Sequence, residues 1–156
     1  MTPREAAEAA LQLLARVALA GLFWRSGQTK VEGFVFDLAE GRVELGWPRL
    51  APQAVDLFRD EYRLPLLPPE AAAVLAAGAE HLLPLLLLFG LGTRGAALGL
   101  LVMTVVIQVF VYPGAWPTHG IWAAALGGLL LRGGGPWSLD AWLVRRGPAA
   151  GREVPR

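Results

Sequence analysis

The chain has 156 residues, 54% of them hydrophobic and only 17% charged, where a soluble domain carries about 25% charged residues; its mean hydropathy is +0.46. A net charge of +1 leaves no footprint for nucleic acid, and the absence of cysteine excludes disulfides, thiol nucleophiles and thiolate metal sites. These bounds predict a single integral membrane domain over residues 1–156.

The first apolar stretch covers residues 6–24. Ala18-Leu19-Ala20 imitates a signal-peptide cleavage site, but Glu5, Glu8 and Arg16 spoil the basic and apolar regions that such a signal needs. The segment therefore reads as a retained helix. Its Glu8, Gln12 and Arg16 recur every four residues as one polar stripe, expected to face protein. The helix leaves the membrane through Phe23 to Lys30, which carries Arg25, Gln28 and Lys30.

Residues 31–69 make too long a loop for a bare connector. Within it, Pro52 is placed to open a short helix reaching about Arg63, with Val55, Phe58 and Tyr62 on one face. That helix is expected on the outer membrane surface, packed over the helices. The second spanning helix is expected over 70–89 and carries Glu80, His81 and Pro84. Proline at 84 leaves the Glu80 carbonyl without its helical partner.

Gly90 to Gly95 spells G-x-G-x-x-G. A nucleotide loop needs a strand before it and an acid about twenty residues later. Neither is present, so the stretch is a tight turn. The third helix, 95–112, opens with Gly95 and Gly99, a spacing that permits close helix packing. It ends with Gln108 and Tyr112 one turn apart. A loop with Trp116 and His119 leads into a short fourth helix, 119–131. Ser138 is placed to cap an interfacial helix over 138–146, with Leu139, Trp142 and Leu143 toward lipid.

The fold class expected is all-α: a four-helix integral membrane bundle with a long outer loop carrying a surface helix, and a C-terminal interfacial helix. Arg94 lies in the second loop, and Arg132, Arg145, Arg146, Arg152 and Arg156 follow the last span. The positive-inside rule then puts both termini in the cytoplasm.

Two groups of polar residues stand out. Arg16 and Glu80 each lie near the middle of their helix, so they are expected to pair, with His81 beside them. A central charge costs about 2.5–3.5 kcal/mol on insertion scales. The group therefore reads either as a clamp between helices or as a proton site. The second group gathers at the outer end: Arg25, Gln28, Lys30, Gln108, Tyr112, Trp116 and His119. Hydrogen-bond donors and aromatic rings there suit a quinone headgroup; an ordinary interfacial belt of Trp, Tyr and Lys is the competing reading. The two histidines differ in depth by about ten residues, roughly 15 Å, so one haem iron cannot take both. No zinc or di-iron spacing and no serine–histidine–acid signature occurs, and no catalytic residue can be assigned.

Four stretches resemble the DoxX-like membrane proteins: Arg16 to Gly27 followed by Lys30; Ala79-Glu-His-Leu-Leu-Pro84 followed by Leu88 to Arg94; Val109 to His119; and Trp137-Ser-Leu-Asp140. The long first loop and the His81 beside Glu80 depart from the common pattern. The resemblance implies a four-helix fold in a bacterial inner membrane. It also implies a subunit of a quinone-linked oxidoreductase or a redox or metal-stress complex, with no intrinsic cofactor and quinone as the candidate ligand. The alternative is a non-catalytic accessory that docks an exported protein or a metal-handling peptide. Partners expected are the bilayer and a protein in a membrane complex, with assembly of several copies left open. A small transporter gated by Arg16 and Glu80 is disfavoured, because no internal repeat is visible.

Overall fold

A computed structural model describes residues 1–37 and 40–146. Helix α1 (Pro3–Gln28) opens with a capping box in which Thr2 and Glu5 exchange hydrogen bonds. A hairpin of β1 (Val31–Asp37) and β2 (Arg42–Leu50) follows. Helix α2 (Pro52–Asp56) continues as a π turn, Leu57–Tyr62, and stops at Arg63 in the left-handed region. Then come α3 (Pro69–Phe89), α4 (Thr93–Val106, continued as a π turn over Ile107–Val111), α5 (Trp116–Arg132) and α6 (Leu139–Arg146).

Among the described residues, three helices are long and apolar enough to cross a membrane: Pro3–Gln28, Pro69–Phe89 and Thr93–Val111. Helix α5, with 17 residues, is at the short limit for a span and packs against α1 and α4. The core joins Leu19 and Phe23 of α1, Leu87 of α3, Ala96, Ala97 and Leu100 of α4, and Leu126 and Leu129 of α5. Alanines and glycines at these contacts let backbones approach, as helix packing in lipid requires. Leu82, Val102, Val105 and Ile121 point outward, as lipid-facing positions should.

The all-α expectation needs correction, because the loop over 31–69 begins with a two-stranded antiparallel sheet. Phe34 pairs with Leu45 and Phe36 with Val43, while Val35 pairs with Glu44 and Asp37 with Arg42. Period-two alternation thus gives the hairpin an apolar face and a more polar face. The surface helix expected from Pro52 is present. Its Phe58 is buried, and with Val55 and Tyr62 it packs on Ala72 and Ala73 of α3. Ser138 accepts from the Ala141 N–H as the cap of α6. Arg152 and Arg156, counted toward orientation, lie outside the described residues.

Helices α1 and α3 run antiparallel in a register set by Gly27. A Cβ at Gly27 would stand 2.9 Å from the His81 ring and 3.0 Å from the Glu80 carbonyl. The carbonyl that Pro84 leaves without its helical partner is thus covered by the bare backbone of α1. With Gly27 level with Glu80, α1 ends about halfway along α3. Beyond that end, the first half of α3 is covered by α2 and its π turn.

Candidate functional site

This register separates the two central charges. Arg16 is level with the far end of α3, not with Glu80, so the expected Arg16–Glu80 pair does not form. The expectation compared the midpoints of two helices, and packing offsets those midpoints. The Arg16 guanidinium instead donates to four carbonyls: Leu87 (2.8 Å), Leu88 (2.7 Å), Gly134 (2.9 Å) and Trp137 (2.9 Å). It ties α1 to the end of α3 and to the segment before α6. Gly90 adopts a left-handed φ of 68°, and a Cβ there would meet the guanidinium carbon at 2.9 Å. Nearby, Asp140 caps α4 by accepting from the N–H of Gly92 and the N–H and hydroxyl of Thr93. Burial opposes its charge, but these hydrogen bonds and Arg16 outweigh burial and hold its carboxyl below the usual range. Along the polar stripe, Gln12 reaches the Gly133 carbonyl at 3.4 Å, while Glu8 is exposed and pairs with Arg4. The stripe faces protein only over its last two members.

Glu80 pairs with Lys30. The Lys30 Nζ lies 2.7 Å from Glu80 Oε2, and the two side chains are 5% and 4% exposed. The Ser26 hydroxyl donates to Glu80 Oε1 at 3.0 Å. Lys30 also approaches the carbonyl and hydroxyl of Ser26, both at 3.3 Å, so it satisfies part of the α1 C-terminus. Residues assigned to two separate groups in the sequence therefore form one buried pair.

The pair lines a cavity of about 480 Å³ between α1, α3, α4 and α5, roofed by the π turn after α2. Its walls include Phe23, Phe58, Tyr62, Tyr112, His119 and Trp122. Exposed Leu75 of α3 and Val102 of α4 also line it, so the cavity borders the lipid-facing surface between those helices. His119 is buried and held by Gln108. The Gln108 amide donates to the Pro113 carbonyl at 2.6 Å, which turns its oxygen toward His119 Nδ1 at 2.7 Å. With this contact the neutral imidazole carries its proton on Nδ1 and presents Nε2 as an acceptor. The Tyr112 hydroxyl donates to Glu61. That hydrogen bond comes first and desolvation second in pushing the Tyr112 phenol well above its ordinary value. Both π turns contribute to this cavity, a placement such turns favour at functional sites.

The remaining predicted site residues lie elsewhere. Arg25 pairs with Asp37 and Glu40 at the hairpin. Gln28 bridges His81 Nε2 (2.9 Å) and the Phe36 N–H (2.7 Å), while His81 Nδ1 meets the Ala77 carbonyl at 2.7 Å. His81 thus faces Trp24 and the hairpin, not the ion pair. Trp116 is 68% exposed. The sequence reading missed Ser26, Tyr62 and Trp122 as wall residues. Only Tyr62 had left a signal, its place on the apolar face of the loop helix.

The model of the DoxX family matches residues 11–113. The chain belongs to the DoxX family. The matched region includes Lys30 and Glu80 of this DoxX protein, together with the hairpin and the π turn over the cavity. It stops before His119. No curated protein and no solved structure is similar enough to match.

Proposed function

We propose that this DoxX protein is the membrane subunit of a quinone-linked oxidoreductase complex, and that the cavity holds the quinone ring. The observation that carries this reading is a buried Lys30–Glu80 pair lining a cavity that also meets lipid. A membrane quinone needs apolar walls, polar groups for its ring oxygens, and a side passage for its tail. Aromatic side chains supply the walls, the Trp122 indole N–H a donor, Glu80 and His119 the acceptors for a ring that alternates between carbonyl and hydroxyl oxygens, and the α3–α4 face the passage. When bound, the quinone supplies two-electron redox chemistry. The chain supplies groups that orient the ring and can exchange protons with it, while electrons come from or pass to a redox-active protein partner. In this reading α5 is the fourth span, the protein sits in a bacterial inner membrane with both termini cytoplasmic, and the hairpin faces outward.

The test is quinone content. The protein is isolated in native-lipid discs, extracted and compared with a Lys30→Ala/His119→Ala variant. The expected result is about one quinone per chain, lost in the variant. A folded wild type without quinone would overturn the proposal. A second reading, a docking accessory for an exported protein or metal-handling peptide, draws on one observation: the hairpin leaves Leu45 and Trp47 76% and 83% exposed. It expects a stable partner on the hairpin and no quinone.

A further inference from the structure

Donors in the cavity are largely spent, whereas acceptors are not. An ammonium has three N–H groups, and Lys30 has three acceptors in reach: Glu80 Oε2 and the carbonyl and hydroxyl of Ser26. The Ser26 proton points to Glu80 Oε1 and the Tyr112 proton to Glu61. The Tyr62 ring packs edge-on against Tyr112, and the His119 Nδ1–H is taken by Gln108. By contrast, among the described residues Glu80 Oε2 has Lys30 as its one close partner, at 2.7 Å, and a carboxylate oxygen holds a second lone pair. In the neutral imidazole His119 Nε2 carries a lone pair that meets no hydrogen-bond donor among the described residues. Among the lining side chains described, the Tyr62 hydroxyl and the indole N–H of Trp122 are the donors left over.

On the reading that the cavity holds a quinone-type ring, we infer that it selects the reduced, dihydroxy form. A quinone carbonyl only accepts. Set against the buried Glu80 Oε2, it would oppose lone pair to lone pair and leave both oxygens unsatisfied. A hydroquinone hydroxyl donates to Oε2 or to His119 Nε2, and its oxygen still accepts from Trp122. Donation to a carboxylate is charge-assisted. The preference expected is about ten- to hundredfold in affinity.

The experiment uses the full chain in lipid discs under anaerobic conditions, titrated with a decyl-substituted benzohydroquinone and the matching benzoquinone. Bound ligand is counted after rapid gel filtration against empty discs, which removes simple partition into lipid. Tighter hydroquinone binding, with the preference narrowed or reversed in Glu80→Gln, supports the inference, because the new amide brings an N–H. Should that variant misfold with Lys30 left unpaired, Lys30→Met/Glu80→Gln presents the same amide without a stranded ammonium. Equal or tighter quinone binding by the wild type overturns the selectivity and leaves the quinone site standing. Binding of neither ring overturns both.

Discussion

Lys30→Met would leave the Glu80 carboxylate buried with the Ser26 hydroxyl as its remaining close donor. The wild-type contact is 2.7 Å between side chains no more than 5% exposed, so water cannot replace the ammonium cheaply. Stranding one member of such a pair costs about 3–5 kcal/mol, a large share of a typical stability of about 5–15 kcal/mol. Replacing both members, as in Lys30→Met/Glu80→Met, removes the stranded charge. It is expected to come within about 1 kcal/mol of wild type or above it. The exposed Arg4–Glu8 pair, at 89% and 63%, provides the contrast: Arg4→Ala should cost about 0–1 kcal/mol. Unfolding by denaturant in mixed micelles, followed by tryptophan fluorescence, measures all four proteins. If Lys30→Met matched Arg4→Ala, or the double variant were as unstable as the single one, the pair would not be the buried, coupled unit described here.

Two further outcomes follow from the opposite end of the molecule. Arg16→Met takes the guanidinium from four carbonyls, of which Leu87 keeps the Gly90 N–H, and should cost about 3–5 kcal/mol, with Arg16→Lys intermediate because an ammonium lacks the planar fork; thermal unfolding in detergent reads both. Asp140, with its carboxyl held below the usual range, contributes stability that is complete above about pH 4 and lost as pH falls through its folded value. Asp140→Asn should therefore flatten the acid limb of a stability–pH curve. An unchanged limb would remove Asp140 from the account.

The spanning helices were legible because an apolar run of that length has few alternatives. Membership of the family was legible in short stretches such as Arg16 to Gly27 with Lys30. The partner of Glu80 was not, because pairing depends on how far one helix slides along another. That offset is set by the contact of Gly27 with Glu80 and His81, which no periodicity encodes. The hairpin had left a signal in the alternation of Arg42-Val43-Glu44-Leu45 beside Gly41. The long loop was read only for its helix. Within the outer group, Lys30, Tyr112 and His119 do meet at the cavity, with Gln108 behind His119. Arg25 and Gln28 are turned away because the hairpin competes for them.

The early end of α1 has a consequence for the order of assembly. Ser26 and Glu80 stand 54 residues apart in the chain, so α1 reaches the membrane before its countercharge has been made. Until α3 arrives, Lys30 lacks the carboxylate it is buried with in the folded protein, and an ammonium without that partner is best left hydrated. The first helix can enter only as far as its tip can remain wet. Pairing with Glu80 is what offsets the cost of burying the lysine under the π turn. The cavity thus lies where two helices, displaced along each other, are joined by charges made 50 residues apart in the chain.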